Sequence, residues 1–260
     1  MKDVEVKSLK GKTILVTGSG KGLGSAIAVE AARQGAKVAV HYRSSEKNAY
    51  QVFEEVRAFG QDCTLIRADL SIPEEAERLY QETVRALGEI DILVNNAGRG
   101  VSKKFTDITL EDWNQCLNDN LTGQFLMSRE FARRVIPAKR RGWIVNILSK
   151  ASCTSTTKGR VCYVCNKSGE TGLTHSLAVD LTEYGIHVNG VMPGFVMANT
   201  LKTQYETNRD EFNQRVERVP LKRVGEPWEI GTMVAFLASD KCELAVGTCV
   251  DMTGGLLLGY

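Results

Sequence analysis

The chain has 260 residues, 43% hydrophobic and 25% charged, the profile of an ordinary globular protein able to bury a sizeable core. A formal net charge of +2 and a pI near 8.1 lie too close to neutrality to imply a nucleic-acid partner, and basic clusters such as Lys139, Arg140 and Arg141 read as a solvated helix end. The N-terminal stretch lacks the apolar run of a secretory signal and no segment approaches the roughly 18 uncharged apolar residues of a membrane span, so the expectation is a cytoplasmic protein with reduced cysteines and no membrane partner.

In chain order, short apolar, β-branched runs occur at Thr13–Thr17, Lys37–Tyr42, Cys63–Arg67, Ile90–Asn95, Trp143–Leu148, Ile186–Val191 and Thr248–Asp251. Helical stretches separate them. Ser25–Gln34 is Ala-rich and stops at Gly35; Ser71 with Glu74 and Thr109 with Asp112 have capping-box spacing ahead of helices over Ala76–Leu87 and Trp113–Val135. Strands that are apolar throughout and alternate with helices predict a doubly wound, Rossmann-like α/β fold. Seven parallel strands form its sheet, helices cover both faces, and one domain spans the chain, because each crossover helix must pack back onto the sheet.

Directly after the first strand, Thr17-Gly18-Ser19-Gly20-Lys21-Gly22-Leu23-Gly24 runs into a helix. Glycines there permit a tight turn and let backbone amides approach a pyrophosphate, which the positive end of the helix also attracts. The spacing is T-G-x-x-x-G-x-G. A fold of this kind that holds NAD usually ends its second strand in an acid that binds the ribose hydroxyls; here that strand ends His41-Tyr42-Arg43-Ser44-Ser45. Arg43, with Lys21 and Ser44, is placed instead to neutralise a 2′-phosphate, which favours NADP over NAD. Surface charge alone is the competing reading of both basic residues.

Tyr163 and Lys167 are four residues apart, hence on one face of a helix, where a nearby ammonium favours the phenolate form an acid/base catalyst needs. Asn95-Asn96-Ala97-Gly98 ends the fourth strand, Asn120 lies in the next helix, Ser149 follows the fifth strand, and Pro193-Gly194 follows the sixth. In a doubly wound sheet these strand-end positions converge where ligands bind. Cys162 and Cys165 frame Tyr163, but the only histidines are His41, His175 and His187, so packed thiols are preferred to a metal site and no metal is expected. Oxidation of either thiol, so close to the phenol, is a second reading of the pair.

Taken together, T-G-x-x-x-G-x-G, N-N-A-G, Ser149, Y-x-x-x-K and P-G resemble the short-chain dehydrogenase/reductase family, in order and over essentially the whole chain. The branches that look most similar are the 3-oxoacyl-carrier-protein reductases and bacterial glucose dehydrogenases. The resemblance implies a metal-free enzyme that interconverts a carbonyl and a secondary alcohol with NADP(H). In it Tyr163 acts as acid/base, Ser149 stabilises the substrate oxygen, Lys167 binds the nicotinamide ribose, and Asn120 positions a water that relays protons. Asp69, with Leu70, would meet the adenine, and Gly18, Ser19, Lys21, Gly22, Leu23, Gly24, Tyr42, Asn96, Ala97, Gly98, Pro193, Gly194 and Val196 would line the rest of the cofactor. It also implies a homotetramer built through Trp113–Val135, Tyr163–Leu181 and the C-terminal strand, with apolar Leu256–Leu258 at the interface.

The sequence departs from the family pattern at Cys165-Asn166, at Met252-Thr253 before Gly254, and at Ala198, where a Thr commonly holds the carboxamide; Thr200 is the candidate substitute. Residues 195–224 are expected to form a lid whose charges, Lys202, Glu206, Arg209, Asp210, Arg215 and Arg218, suit a mobile cover or simply an exposed amphipathic helix. Arg129 would suit an acyl-carrier partner, while Val179-Asp180 weakens it, and the loop Lys150–Arg160 would equally admit a sugar, a small ketone or a steroid. A nucleotide sensor without turnover is the alternative, disfavoured by the intact Tyr/Lys pair.

Overall fold

A computed structural model describes residues 8–154 and 158–258, without the side chains of residues 199 and 200. Seven strands, β1 Thr13–Val16, β2 Lys37–Tyr42, β3 Cys63–Arg67, β4 Ile92–Asn95, β5 Gly142–Ile147, β6 Ile186–Pro193 and β7 Cys249–Met252, form one sheet in the order β3-β2-β1-β4-β5-β6-β7. All six pairings are parallel. The predicted architecture stands, and strand ends move by no more than two residues.

Strand side chains divide between two cores with period two. Ile14 and Val16, Ile92 and Val94, and Trp143, Val145 and Ile147 face helices α1 (Gly22–Arg33), α2 (Glu46–Arg57) and α9 (Pro227–Leu237). Leu15, Leu93 and Ile144 point to the opposite face, against α3 (Pro73–Leu87), α5 (Gly123–Val135) and α6 (Val161–Leu181). Burial on both faces is why these strands read as continuous apolar runs.

Two helix expectations need correction. Thr109 and Asp112 do form a capping box, but the helix they start, α4 (Leu110–Leu117), begins before Trp113 and does not run unbroken to Val135. A π-helical turn at Asn118–Thr122 separates it from α5. Ser71 and Glu74 form no capping box: the Ser71 hydroxyl turns back to donate to Asp69 Oδ1 at 2.7 Å, and α3 begins at Pro73 behind Ile72. Proline needs no amide partner in the first turn of a helix, which removes the requirement for that cap.

Between β1 and β4 the strand order reverses, and the connections from these two strands diverge to opposite faces. That divergence opens a crevice at the carboxyl ends. Its floor is tied by a buried polar column in which Asn95 donates to Ser128 and to Asn146, each at 3.0 Å, and Asn146 donates to Thr174 at 2.9 Å. This fixes β4 and β5 to α5 and α6. Residues 195–224 carry α7 (Asn199–Thr207) and α8 (Arg209–Glu217).

Candidate active site

A cleft of about 1090 Å³ runs along the carboxyl ends of the strands. One end is the glycine turn. Gly18 and Gly22 adopt φ of +64° and +68°, the left-handed region that favours glycine. At Gly24 a Cβ would meet the Asn96 amide nitrogen at 2.4 Å and the Gly18 carbonyl at 2.6 Å, so the third motif glycine serves close packing.

Asn96 is the reason for that closeness. Its side-chain amide donates to the carbonyls of Thr17 at 2.9 Å and Gly18 at 3.2 Å, while the Thr17 hydroxyl accepts from the amides of Asn96 and Ala97, both at 3.0 Å. The β1 and β4 ends are thereby locked together. His41, near the end of β2, completes the lock. The Gly18 amide donates to its Nδ1 at 2.8 Å, which leaves the proton on Nε2, 3.1 Å from the Ala68 carbonyl. Burial pushes this imidazole down to about 4, so it stays neutral and keeps its acceptor. A histidine inside an otherwise apolar strand was the available signal.

Most of the residues expected at a cofactor line the cleft: Gly18, Lys21, Gly22 and Leu23 from the turn; Tyr42, Arg43 and Ser44 from the end of β2; Asp69 and Leu70 after β3; Asn96, Ala97 and Gly98 after β4; Gly194 and Val196 after β6. Three do not reach its wall. Ser19 is fully buried, donating to the Val16 carbonyl at 2.7 Å and accepting from the His41 amide at 2.9 Å; Gly24 sits beneath the turn; Pro193 ends β6 paired with Met252. They shape the crevice from behind. Ala198 also lines the cleft, whereas the Thr200 side chain lies outside the described residues.

Arg43 reaches across the cleft. It donates to Asp119 Oδ1 at 2.7 Å and lies 3.8 Å from Asp69. Partial burial works against its charge, but the two carboxylates raise its pKa further. Asp119, a buried carboxylate the sequence reading passed over, is paired with Arg99 as well. Burial of Asp69 is outweighed by hydrogen bonds from Ser71 and the nearby Arg43, which hold its carboxyl below the usual range.

At the other end stand Tyr163 and Lys167 on α6, Ser149 just past β5, and Asn120 in the π-helical turn. Lys167 Nζ lies 6.0 Å from the Tyr163 ring centre and is almost fully buried. It donates to the Ile147 carbonyl at 2.8 Å and to Glu170 at 2.7 Å. Burial alone would discharge it; Glu170 and Tyr163 together raise the ammonium above the ordinary lysine range. Ser149 Oγ accepts from the Ala151 amide at 3.2 Å. Its hydroxyl proton can therefore be given to a ligand.

Asn120 accepts through its side chain from the Arg99 amide at 3.0 Å and donates to the carbonyls of Arg99 at 3.2 Å and Cys116 at 2.7 Å. Its side chain pins the loop after Gly98, where a Cβ would come within 2.4 Å of Asn120 Oδ1. Asn166, one of the departures, donates to Cys116 Sγ at 3.1 Å and to the Cys162 carbonyl at 2.8 Å. Cys162 is buried and Cys165 exposed, and the described residues include no group of three or more His, Cys, Asp or Glu side chains placed for a metal ion.

A doubly wound sheet with a glycine turn at one end of its crevice and a phenol, a hydroxyl and a buried ammonium at the other defines a dinucleotide-fold oxidoreductase. Residues 12–209 match the family model for short chain dehydrogenase. The chain belongs to the short-chain dehydrogenase/reductase family, and is an enzyme. It is 34% identical over 247 residues to a 3-oxoacyl-acyl-carrier-protein reductase of Staphylococcus epidermidis, covering 95% of this chain and 99% of that one. It is also 36% identical to a hydroxynaphthalene reductase-like protein of Metarhizium robertsii, covering 96% of each. The structure of a short chain dehydrogenase from Burkholderia cenocepacia in complex with NADP superposes with a TM-score of 0.88 at 30% identity, covering 96% of this chain and 99% of the other.

Proposed function

We propose that this enzyme interconverts a carbonyl and a secondary alcohol with NADP(H), preferred over NAD(H), and with Tyr163 as the acid/base. The observation that carries the reading is the phenol of Tyr163 and the buried ammonium of Lys167, one helical turn apart, sharing a cleft with the glycine turn. The residues fit a dinucleotide: the turn lacks Cβ atoms where a pyrophosphate would approach, and the first amides of α1 have no intrahelical acceptor. Leu23, Asn96, Gly194 and Val196 would flank its length, with Asp69 and Leu70 at the adenine. When bound, the nicotinamide ring supplies or accepts the hydride.

Tyr163 gives its phenolic proton to the carbonyl oxygen in reduction and takes it back in oxidation. Ser149 donates to the same oxygen and stabilises charge developing there. Lys167 lines the cleft with two of its three protons committed to Ile147 and Glu170, which leaves a third that a ribose hydroxyl would accept. Asn120 holds the loop that closes this end and would position a water that relays protons. Arg43 supports NADP, because a 2′-phosphate would take over the role now played by Asp119. A lid over residues 195–224 is consistent with α7 and α8 standing over the cleft.

The test is Tyr163→Phe, expected to abolish turnover of ketones and alcohols while leaving NADPH affinity within about twofold; retained turnover defeats the mechanism. A homotetramer is our reading of assembly, supported by exposed Phe125 on α5, Val179 on α6 and Leu258 in the C-terminal segment, although the adjacent Leu257 is buried in its own subunit. Light scattering decides it.

A further inference from the structure

Of the six charged lid residues singled out in the sequence, only the two arginines of α8 and its end, Arg215 and Arg218, line the cleft. They are joined there by Lys150, next to Ser149, and Arg160, at the start of α6. The acids on the cleft wall are Asp69 and Asp119, both at the adenine end and both engaged with Arg43. Among the described residues, none of these four substrate-end cations has a carboxylate within 4.0 Å.

Their placement is specific. The Arg160 guanidinium lies 4.2 Å from the centre of the Tyr163 ring, and its Nε is buried with no partner among the described residues. Lys150 Nζ and the Arg215 guanidinium lie 5.5 and 4.6 Å from the centre of one ring, that of Phe195. Two cations crowded on one aromatic side chain repel, and burial together with Arg215 pushes the Lys150 ammonium below its ordinary range. Arg215 is otherwise held by Gln204. Concentrating uncompensated positive charge on partly buried groups is unfavourable until an anion enters.

We infer that the substrate is an anion: a hydroxy or oxo compound whose carboxylate or phosphate is received by Lys150, Arg160 and Arg215 while its reacting oxygen lies at Ser149 and Tyr163. This rests on the proposed reaction and adds the charge class of the molecule that undergoes it. Guanidinium groups suit the role because they bind both oxygens of a carboxylate or phosphate and stack on aromatic faces. The neutral parts of the cleft, Leu201 and Leu256, would then meet the rest of the molecule.

The experiment compares glucose, gluconate and glucose 6-phosphate, together with acetoacetate and its ethyl ester, at low and high ionic strength. Each is measured for turnover with NADP(H) and, by calorimetry, for binding to the NADP⁺-loaded enzyme. The charged members are expected to bind at least about tenfold more tightly than their neutral counterparts, with the advantage shrinking in salt. Arg215→Ala should remove most of that advantage, Arg215→Lys should keep part of it, and NADPH affinity should stay within about twofold in both.

Gluconate and glucose 6-phosphate separate the carboxylate from the phosphate form. Equal affinity for charged and neutral compounds, no binding of any anion, or an equal loss of NADPH and anion affinity in Arg215→Ala overturns the inference. Charged compounds that bind but are never turned over, by any route, defeat the proposed reaction and leave the anion site standing.

Discussion

The two ends of the cleft handle positive charge in opposite ways. At the proposed adenine end Arg43 is already compensated, bonded to buried Asp119 and close to Asp69, so a ligand phosphate would have to displace a partner the protein supplies. At the proposed substrate end Lys150, Arg160, Arg215 and Arg218 face the cleft with no described carboxylate partner. A compensated cation discriminates between ligands by exchange, gaining only the difference between two partners. An uncompensated one contributes its whole interaction to the ligand, and it costs stability while empty.

The largest expected effect at the adenine end concerns the turn rather than the charge. His41 titrates near 6.5 when unfolded and about 4 when folded, so below pH 6.5 the unfolded chain takes up its proton first. Stability carried by this group is complete above pH 6.5 and drains away as pH falls towards 4, to a limit of about 3 kcal/mol. Urea unfolding of wild type and His41→Asn at pH 7 and pH 5 reads the difference. The variant should start less stable and lose less on acidification; parallel pH profiles would remove His41 as the anchor.

Next in size is Arg43→Ala, expected to raise KM for NADPH by at least about tenfold while changing that for NADH little. Equal effects on both cofactors would show that Arg43 is not the phosphate partner. Asp119→Asn is smaller and opposite in sign. It releases Arg43 from its competing carboxylate, and NADPH affinity should improve about threefold to tenfold relative to NADH. In the Arg43→Ala background the gain should vanish. Its persistence there would mean that Asp119 repels the phosphate directly rather than through Arg43.

The same contrast separates what the sequence made legible from what it hid. Strands buried on both faces announce themselves as apolar runs, and Gly18–Gly24, Asn96 and Tyr163/Lys167 are recognisable because backbone geometry or chemistry permits few substitutes there. Three-dimensional pairing leaves no such trace. Asp119 sits one residue from Asn120 in an ordinary helical pattern; nothing local says that it is buried between Arg43 and Arg99. Glu170 reads as an exposed helix acid until Lys167 is placed beside it. Arg215 and Arg218 could not be told from the other charges of residues 195–224, since which way a polar helix turns depends on what it packs against. The Ser71–Glu74 spacing misled because Asp69 competed for the Ser71 hydroxyl.

Glu170 gives the finest test, because it brings compensation of the Arg43 kind to the proposed reaction centre. Its carboxylate lies 2.7 Å from Lys167 Nζ, in a place where burial would otherwise favour the neutral amine. Glu170→Gln keeps the shape and a hydrogen-bonding oxygen but removes the charge that holds the ammonium protonated. With burial less opposed, Lys167 should lose its proton at lower pH, so the alkaline limb of the kcat/KM profile for ketone reduction should move downward, by about half to one pH unit. A merely structural role would lower stability and leave the limb in place, since protonation of the cleft would be unchanged. An upward shift would contradict the assignment of Glu170 as the group that keeps Lys167 charged, and Glu170→Asp, retaining charge at a longer reach, should return the limb towards wild type.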